Sequence, residues 1–78
     1  MPTILRVDGY RFFFFSNESN EPPHIHVQQA ERYAKYWLQP LQIAASSGYT
    51  DRELTKIGEL IEQYRGLFLE AWDEFFNR

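Results

Sequence analysis

Leu54, Ile57, Ile61, Phe68, Trp72 and Phe75 recur at helical intervals in a chain of only 78 residues. No other feature restricts the fold as much. Residues three, four and seven apart share one face of an α-helix, so these six make one greasy stripe. Thr50-Asp51-Arg52-Glu53 precedes it with capping-box spacing, which predicts a helix from Asp51 to about Asn77. Burying side chains of this size contributes roughly 1.5–3 kcal/mol each, so the rest of the chain has to cover the stripe. Trp72 is the expected core anchor. Such a helix would be on the order of 40 Å long at 1.5 Å per residue, so it bends or overhangs a domain of this size. Gly58 lies near the greasy face, which suggests a packing reason, and Gly66 is a candidate kink. Leu60 and Leu67 lie off the stripe, where they either flank the core or form a second stripe for a partner or a homodimer mate.

The cover is expected to be a sheet. Thr3 to Val7 and Tyr10 to Ser16 are rich in β-branched and aromatic residues, and Asp8-Gly9 between them is the dipeptide of a two-residue type I′ turn. That turn pairs Val7 with Tyr10, Arg6 with Arg11, Leu5 with Phe12 and Ile4 with Phe13. Ser16 to Pro23 combines turn formers, two acids and a diproline and reads as an exposed loop. His24 to Val27 alternates with period 2, Gln28 to Arg32 is a polar connection, and Tyr33 to Leu38 is a further strand ended by Pro40. Leu41 to Ser47 is ambiguous, its small residues being compatible with a short helical turn before Gly48. The expected fold is therefore α+β: one domain over residues 1–78, with a small antiparallel sheet (a β-hairpin plus two further strands, about 3–38) packed on one long C-terminal α-helix (about 51–77).

Strand alternation sorts the side chains into two faces. Leu5, Val7, Tyr10, Phe12 and Phe14 form the face suited to the helix, joined by Ile25, Val27, Ala34, Tyr36 and Leu38. The other face collects Arg6, Arg11, His24, His26 and Lys35 beside Phe13, Phe15 and Trp37, and it is expected to point outward. Opposed arginines repel, so either a bound phosphate or carboxylate sits between them, or Glu18, Glu21 or a helix acid neutralises them, or they splay into water. His24-Ile25-His26 puts two imidazoles on one face, where they can transfer protons near neutral pH. The candidate catalytic residues are accordingly His24 and His26, with Arg11 or Lys35 on a phosphate. The competing reading is two histidines that hydrogen-bond the loop and shape the strand. Two imidazoles are too few for zinc, whose remaining donors would have to come from Glu18, Glu21 or water, so neither a metal nor a cofactor is expected.

Composition narrows the functional classes. With no cysteine there is no disulfide framework, thiolate nucleophile or Cys-ligated zinc site. The longest apolar run, Phe12 to Phe15, is too short to span a bilayer, and no charged-then-greasy leader precedes it, so a soluble cytoplasmic protein without membrane contact is expected. A net charge of -3 argues against a uniformly basic nucleic-acid binder. Residues 1–48 balance four Lys/Arg against four Asp/Glu, whereas 49–78 hold four against seven, so the helix carries the acidic surplus.

Met1-Pro2-Thr3-Ile4, Gly9-Tyr10-Arg11-Phe12-Phe13-Phe14, Pro22-Pro23-His24-Ile25-His26-Val27, Ala34-Lys35-Tyr36-Trp37-Leu38 and Leu69-Glu70-Ala71-Trp72 together resemble a family of small bacterial proteins catalogued as a domain of unknown function, family 4160. The resemblance runs nearly end to end, and its Pro-Pro-His-x-His-Val segment is its most specific part. It implies a single-domain cytoplasmic protein, often encoded beside another small protein in an arrangement similar to toxin-antitoxin pairs. It assigns no catalytic residue. The expected function is a protein-binding component of such a pair, engaging a small partner through exposed aromatics and the acidic helix. The alternatives are a metal-independent ribonuclease-type toxin using His24 and His26, and a nonspecific nucleic-acid binder working through the outer sheet face.

Overall fold

The computed structural model describes residues 3–76; Met1, Pro2 and the expected last helical residue Asn77 lie outside them. Five strands are followed by one helix: β1 (Thr3–Val7), β2 (Tyr10–Phe13), β3 (His24–Gln29), β4 (Arg32–Leu38), β5 (Leu41–Ser47) and α1 (Asp51–Phe76). The strands form one antiparallel meander in the order β1-β2-β3-β4-β5. The architecture is α+β, a five-stranded antiparallel sheet with one long C-terminal helix.

Local chemistry accounts for the first hairpin. Asp8 (φ 52°) and Gly9 (φ 84°) both take positive φ, as a type I′ turn requires, and Val7, Arg6 and Leu5 face Tyr10, Arg11 and Phe12. The expected pairing of Ile4 with Phe13 gives way to Thr3 opposite Phe13, because the register shifts between Thr3 and Leu5. β3 runs two residues further than expected, and Ala30-Glu31 alone connects it to β4. Ala30 takes φ 54°, a conformation usually left to Gly or Asn. A sequence search for turn residues therefore misses this hairpin.

Leu41 to Ser47 is a strand and not a helical turn. β5 follows a Gln39-Pro40 turn whose peptide bond is cis, and it pairs with β4 from Leu38↔Leu41 to Tyr33↔Ser47. Alanine and serine have weak strand preference of their own, so the β4 backbone imposes the conformation. The sheet therefore has a fifth strand beyond the hairpin and two expected.

The capping box forms as spaced: the Glu53 N–H donates to Thr50 Oγ1 (3.2 Å) and the Thr50 N–H to Glu53 Oε1 (2.9 Å). Leu54, Ile57, Ile61, Phe68 and Trp72 are buried against Tyr10, Phe12, Phe14, Ile25, Val27, Ala34, Tyr36 and Leu38. The Tyr36 hydroxyl crosses this interface and donates to the Leu54 carbonyl at 2.6 Å. Its burial, with Tyr49 and Tyr10 nearby, pushes its pKa up to about 12, so it stays a donor throughout the physiological range. Of the two off-stripe leucines, Leu60 packs on the core and Leu67 is exposed.

Gly58 has the packing neighbour that its position suggested, since a Cβ there would stand 3.6 Å from the Tyr36 ring. Gly66 has nothing within 4 Å, and the helix continues through it. Gly66→Ala should therefore raise stability by about 0.8–1.0 kcal/mol, the intrinsic helix-propensity difference at an open site. A urea titration checks this, and an unchanged or lower midpoint would show that the glycine has a role outside the helix backbone.

Candidate functional site

The pairing registers put the chemically interesting side chains in rows. Phe13 stands opposite His26 and His26 opposite Lys35, while His24 stands opposite Trp37 and Arg6 opposite Arg11. Their contacts confirm a shared face. The His26 ring lies 5.4 Å from Phe13, Arg11 lies over Phe13 (4.3 Å), and Lys35 lies over Trp37 (4.5 Å).

That face is not open at the histidines. His24 is 0% and His26 3% exposed, and Phe13 is also buried. The cover is the segment after β2, which turns back over the sheet instead of standing in solvent. Phe15 packs edge-on against both Phe13 and His26. Glu18, expected on an exposed loop, is buried and reaches both imidazoles. Phe14 turns the other way, onto Trp72, Phe75 and Phe76 of α1. Successive residues thus anchor the loop to opposite sides of the sheet. Trp72 also reaches His24, with 4.8 Å between ring centroids.

Lys35 and Arg11 are engaged internally. Lys35 Nζ donates to Glu21 Oε1 at 2.6 Å. Arg11 donates through Nε to Thr3 Oγ1 (2.9 Å) and through a terminal nitrogen to Gln28 Oε1 (3.5 Å). Arg6 is exposed on the edge strand β1. The expected outward basic patch is therefore reduced to the arginine end, because the loop acids Glu18 and Glu21 take up the His/Lys end.

Glu18, His24 and His26 form the centre of the site, their ligand-type atoms all within 4.8 Å of one another. The His26 Nε2–H donates to Glu18 Oε2 (2.9 Å) and Oε1 (3.0 Å), and the Tyr33 hydroxyl meets Nδ1 at 2.7 Å. The His24 Nδ1–H donates to the Pro22 carbonyl at 2.9 Å. His24 Nε2 stands 3.0 Å from Glu18 Oε1, yet no aligned hydrogen bond reaches it. The Phe15 backbone N–H holds Glu18 Oε1 at 2.9 Å.

Burial pushes the Glu18 carboxyl up, but hydrogen bonds led by those from the Phe15 N–H and the His26 Nε2–H hold it below its ordinary value. For His26 burial outweighs the attraction of Glu18, so its pKa lies below the usual histidine value and the ring is neutral at pH 7. Burial and the nearby Glu18 and Glu21 raise Tyr33, which keeps its proton. Sequence reasoning found both histidines and named Glu18 as an available donor. It gave no role to Tyr33, whose signal is its place one residue before the inward-facing Ala34 of β4, on the histidines' side of the sheet.

A cleft of about 520 Å³ lies between loop residues Ser19, Glu21 and Pro23 and helix residues Leu69, Trp72 and Asp73, and neither histidine lines it. Among the described residues no helix is long and apolar enough to cross a membrane.

A family model described as a domain of unknown function (DUF4160) matches residues 9–73. No curated protein and no solved structure matches the chain.

Proposed function

Since the chain belongs to the DUF4160 family, a membership that names no activity, we propose from its surfaces that it is a protein-binding module, the strand-accepting component of a toxin-antitoxin-like pair. The observation that carries this reading is the free edge of β5. Leu41-Gln42-Ile43-Ala44-Ala45-Ser46-Ser47 has no charged residue, and all but Leu41 are exposed. β4 pairs one side of it, and the other side is the end of the sheet. Such an edge presents backbone donors and acceptors to an incoming strand, and proteins that do not use it usually place a charge or proline there. The opposite edge strand, β1, carries Arg6.

The occupant is an extended, basic segment of a second protein. α1 lies against β4 and β5, and it holds seven Asp/Glu against three Lys/Arg. Two copies paired through β5 would bring two acidic helices side by side, whereas a basic strand meets complementary charge. A register shift leaves Ala44 without an opposite residue on β4 and divides the edge into two short pairing runs. The docked segment is correspondingly short.

Burial of His24 and His26 weighs against the ribonuclease reading, because a general acid and base must come within hydrogen-bond reach of the reacting hydroxyl. It weighs equally against base stacking on Phe13. The aromatics expected to engage a partner are mostly spent inside the molecule, and Ile43, 46% exposed, takes their place.

The test compares Ile43→Lys with Leu67→Lys, a charge placed at an equally exposed residue on α1 (45%). The protein is recovered from its own cells and the stoichiometric partner is titrated back against each variant. Ile43→Lys should weaken binding about tenfold or more, with Leu67→Lys near wild type. Wild-type affinity in Ile43→Lys, or sedimentation as a β5-paired homodimer, would overturn the strand-accepting role.

A further inference from the structure

The geometry points to a binding site for one first-row divalent transition-metal ion, of the zinc type, formed by Glu18, His24 and His26. This goes beyond strand docking at β5 and stands independently of it. The argument begins with His24, whose ring is 0% exposed. A carbonyl only accepts, so the 2.9 Å contact with Pro22 O requires the proton on Nδ1. In the neutral ring Nε2 is then a bare lone pair, and it faces Glu18 Oε1 at 3.0 Å, an acceptor against an acceptor. It has no aligned hydrogen-bond partner. A cation between the two atoms turns this repulsion into coordination.

The second imidazole is set up alike. His26 Nε2 points at the same carboxylate, while its Nδ1 meets the Tyr33 hydroxyl at 2.7 Å. A hydroxyl both donates and accepts, so the His26 proton can move from Nε2 to Nδ1 without loss of that bond. Metal-ligating histidines characteristically donate their outer N–H to a carbonyl or another oxygen, which fixes the ring. Both rings here are held through Nδ1 with Nε2 directed inward. The Phe15 N–H fixes the carboxylate from behind at 2.9 Å, and Trp37 and Trp72 pack on His24.

Spacing and donor type agree with this assignment. Donor atoms around a tetrahedral zinc stand about 3.3 Å apart, given bonds of roughly 2.0–2.1 Å. The two His–Glu separations are 3.0 and 2.9 Å, and the three ligand atoms all lie within 4.8 Å of one another, so the ion is admitted by a small outward shift of the carboxylate and a closer approach of the two imidazoles. Two imidazoles and one carboxylate suit zinc and its neighbours, whereas magnesium and calcium prefer oxygen donors. The ion would clip the loop after β2 to β3, so its binding would also be folding energy.

Zinc is titrated calorimetrically into the chelator-treated full chain, carrying no polyhistidine tag. One equivalent should bind, and at about a hundredfold excess over Kd the melting midpoint should rise on the order of 10 °C. Cobalt(II) as substitute should give the absorption of a low-symmetry, nitrogen- and oxygen-ligated site. Glu18→Gln removes one ligand and should cost about a hundredfold or more in affinity, since even an outer partner is worth ten- to a hundredfold. Tyr33→Phe keeps all three ligands and should lose about tenfold, which decides the matter should Glu18→Gln fail to fold. No saturable binding to the folded wild type would overturn the assignment, as would wild-type affinity in both variants.

Discussion

Truncating Trp72 to alanine should destabilise the protein by about 3–5 kcal/mol, the usual cost of removing a large buried aromatic. The ring is 5% exposed and lies where three parts of the molecule meet: Phe76 of its own helix (4.2 Å between centroids), Phe14 after β2 (5.3 Å) and His24 at the start of β3 (4.8 Å). Its loss opens a void that none of these can fill without leaving another partner. Total stability of a small domain is about 5–15 kcal/mol, so the variant should be close to unfolding at growth temperature. A fall in Tm on the order of 15–30 °C is the corresponding thermal result. Leu67→Ala on the exposed side of the helix should stay within about 0.5 kcal/mol of wild type. Comparable losses in the two variants would mean that the C-terminal turns of α1 are not seated on the sheet as described.

The second large effect belongs to Glu18. Glu18→Ala strips the acceptor from the Phe15 N–H and from the His26 Nε2–H, both in the covered part of the site. Each buried donor left without a partner costs about 1–3 kcal/mol, so a total of about 2–5 kcal/mol is expected. Acid should attack the same cluster in two steps. The folded pKa of His26 lies below 6.5, so below that pH the unfolded chain takes up a proton that the folded chain refuses. Stability from this source is complete above pH 6.5 and is lost as pH falls through the folded value. Glu18 is likewise depressed below 4.5, and its contribution is present above that pH and lost beneath it. Urea titrations from pH 8 to pH 3, in chelator, should show stability level above pH 7, declining below about 6.5 and declining again below about 4.5. Glu18→Gln should reduce the second decline, leaving the part that belongs to Glu53, whose carboxyl the Thr50 N–H also holds below 4.5. Constant wild-type stability between pH 7 and 5 would refute the account of His26.

The strand-edge and metal tests fail separately. Ile43 lies on β5 and Glu18 in the loop between β2 and β3, so neither Ile43→Lys nor Glu18→Gln touches the other's partners. A protein that binds zinc without taking a strand at β5, or the reverse, would remove one assignment and leave the other.

How much of this could be read from the residues depended on how local each determinant was. Asp8-Gly9 and the Thr50/Glu53 pair are local: each contains the groups that make its turn or cap, and both formed as spaced. The greasy stripe of α1 and the alternation of β3 and β4 are periodic, and periodicity assigns faces reliably because backbone geometry sets it. It placed Phe13, His26, Lys35 and Trp37 on one side of the sheet, where they are. β5 was not legible, because Ala44, Ala45, Ser46 and Ser47 become a strand only through β4. The Ala30-Glu31 turn was hidden by an alanine at positive φ.

The chain by itself therefore determined the hairpin, the capped helix, the two faces of the sheet and the pairing of imidazoles on one of them. Tertiary structure alone decided that this face is closed over the histidines. Nothing in Ser16 to Pro23 states that the segment must fold back over the sheet, because the imidazole partners of Glu18 lie six and eight residues away and the burial that binds them arises only once Phe14 and Phe15 have packed on opposite sides of the sheet. Alternation tells which side chains stand together; whether they meet water or another segment is a long-range contact, and that contact turned two apparently exposed histidines into a buried donor set.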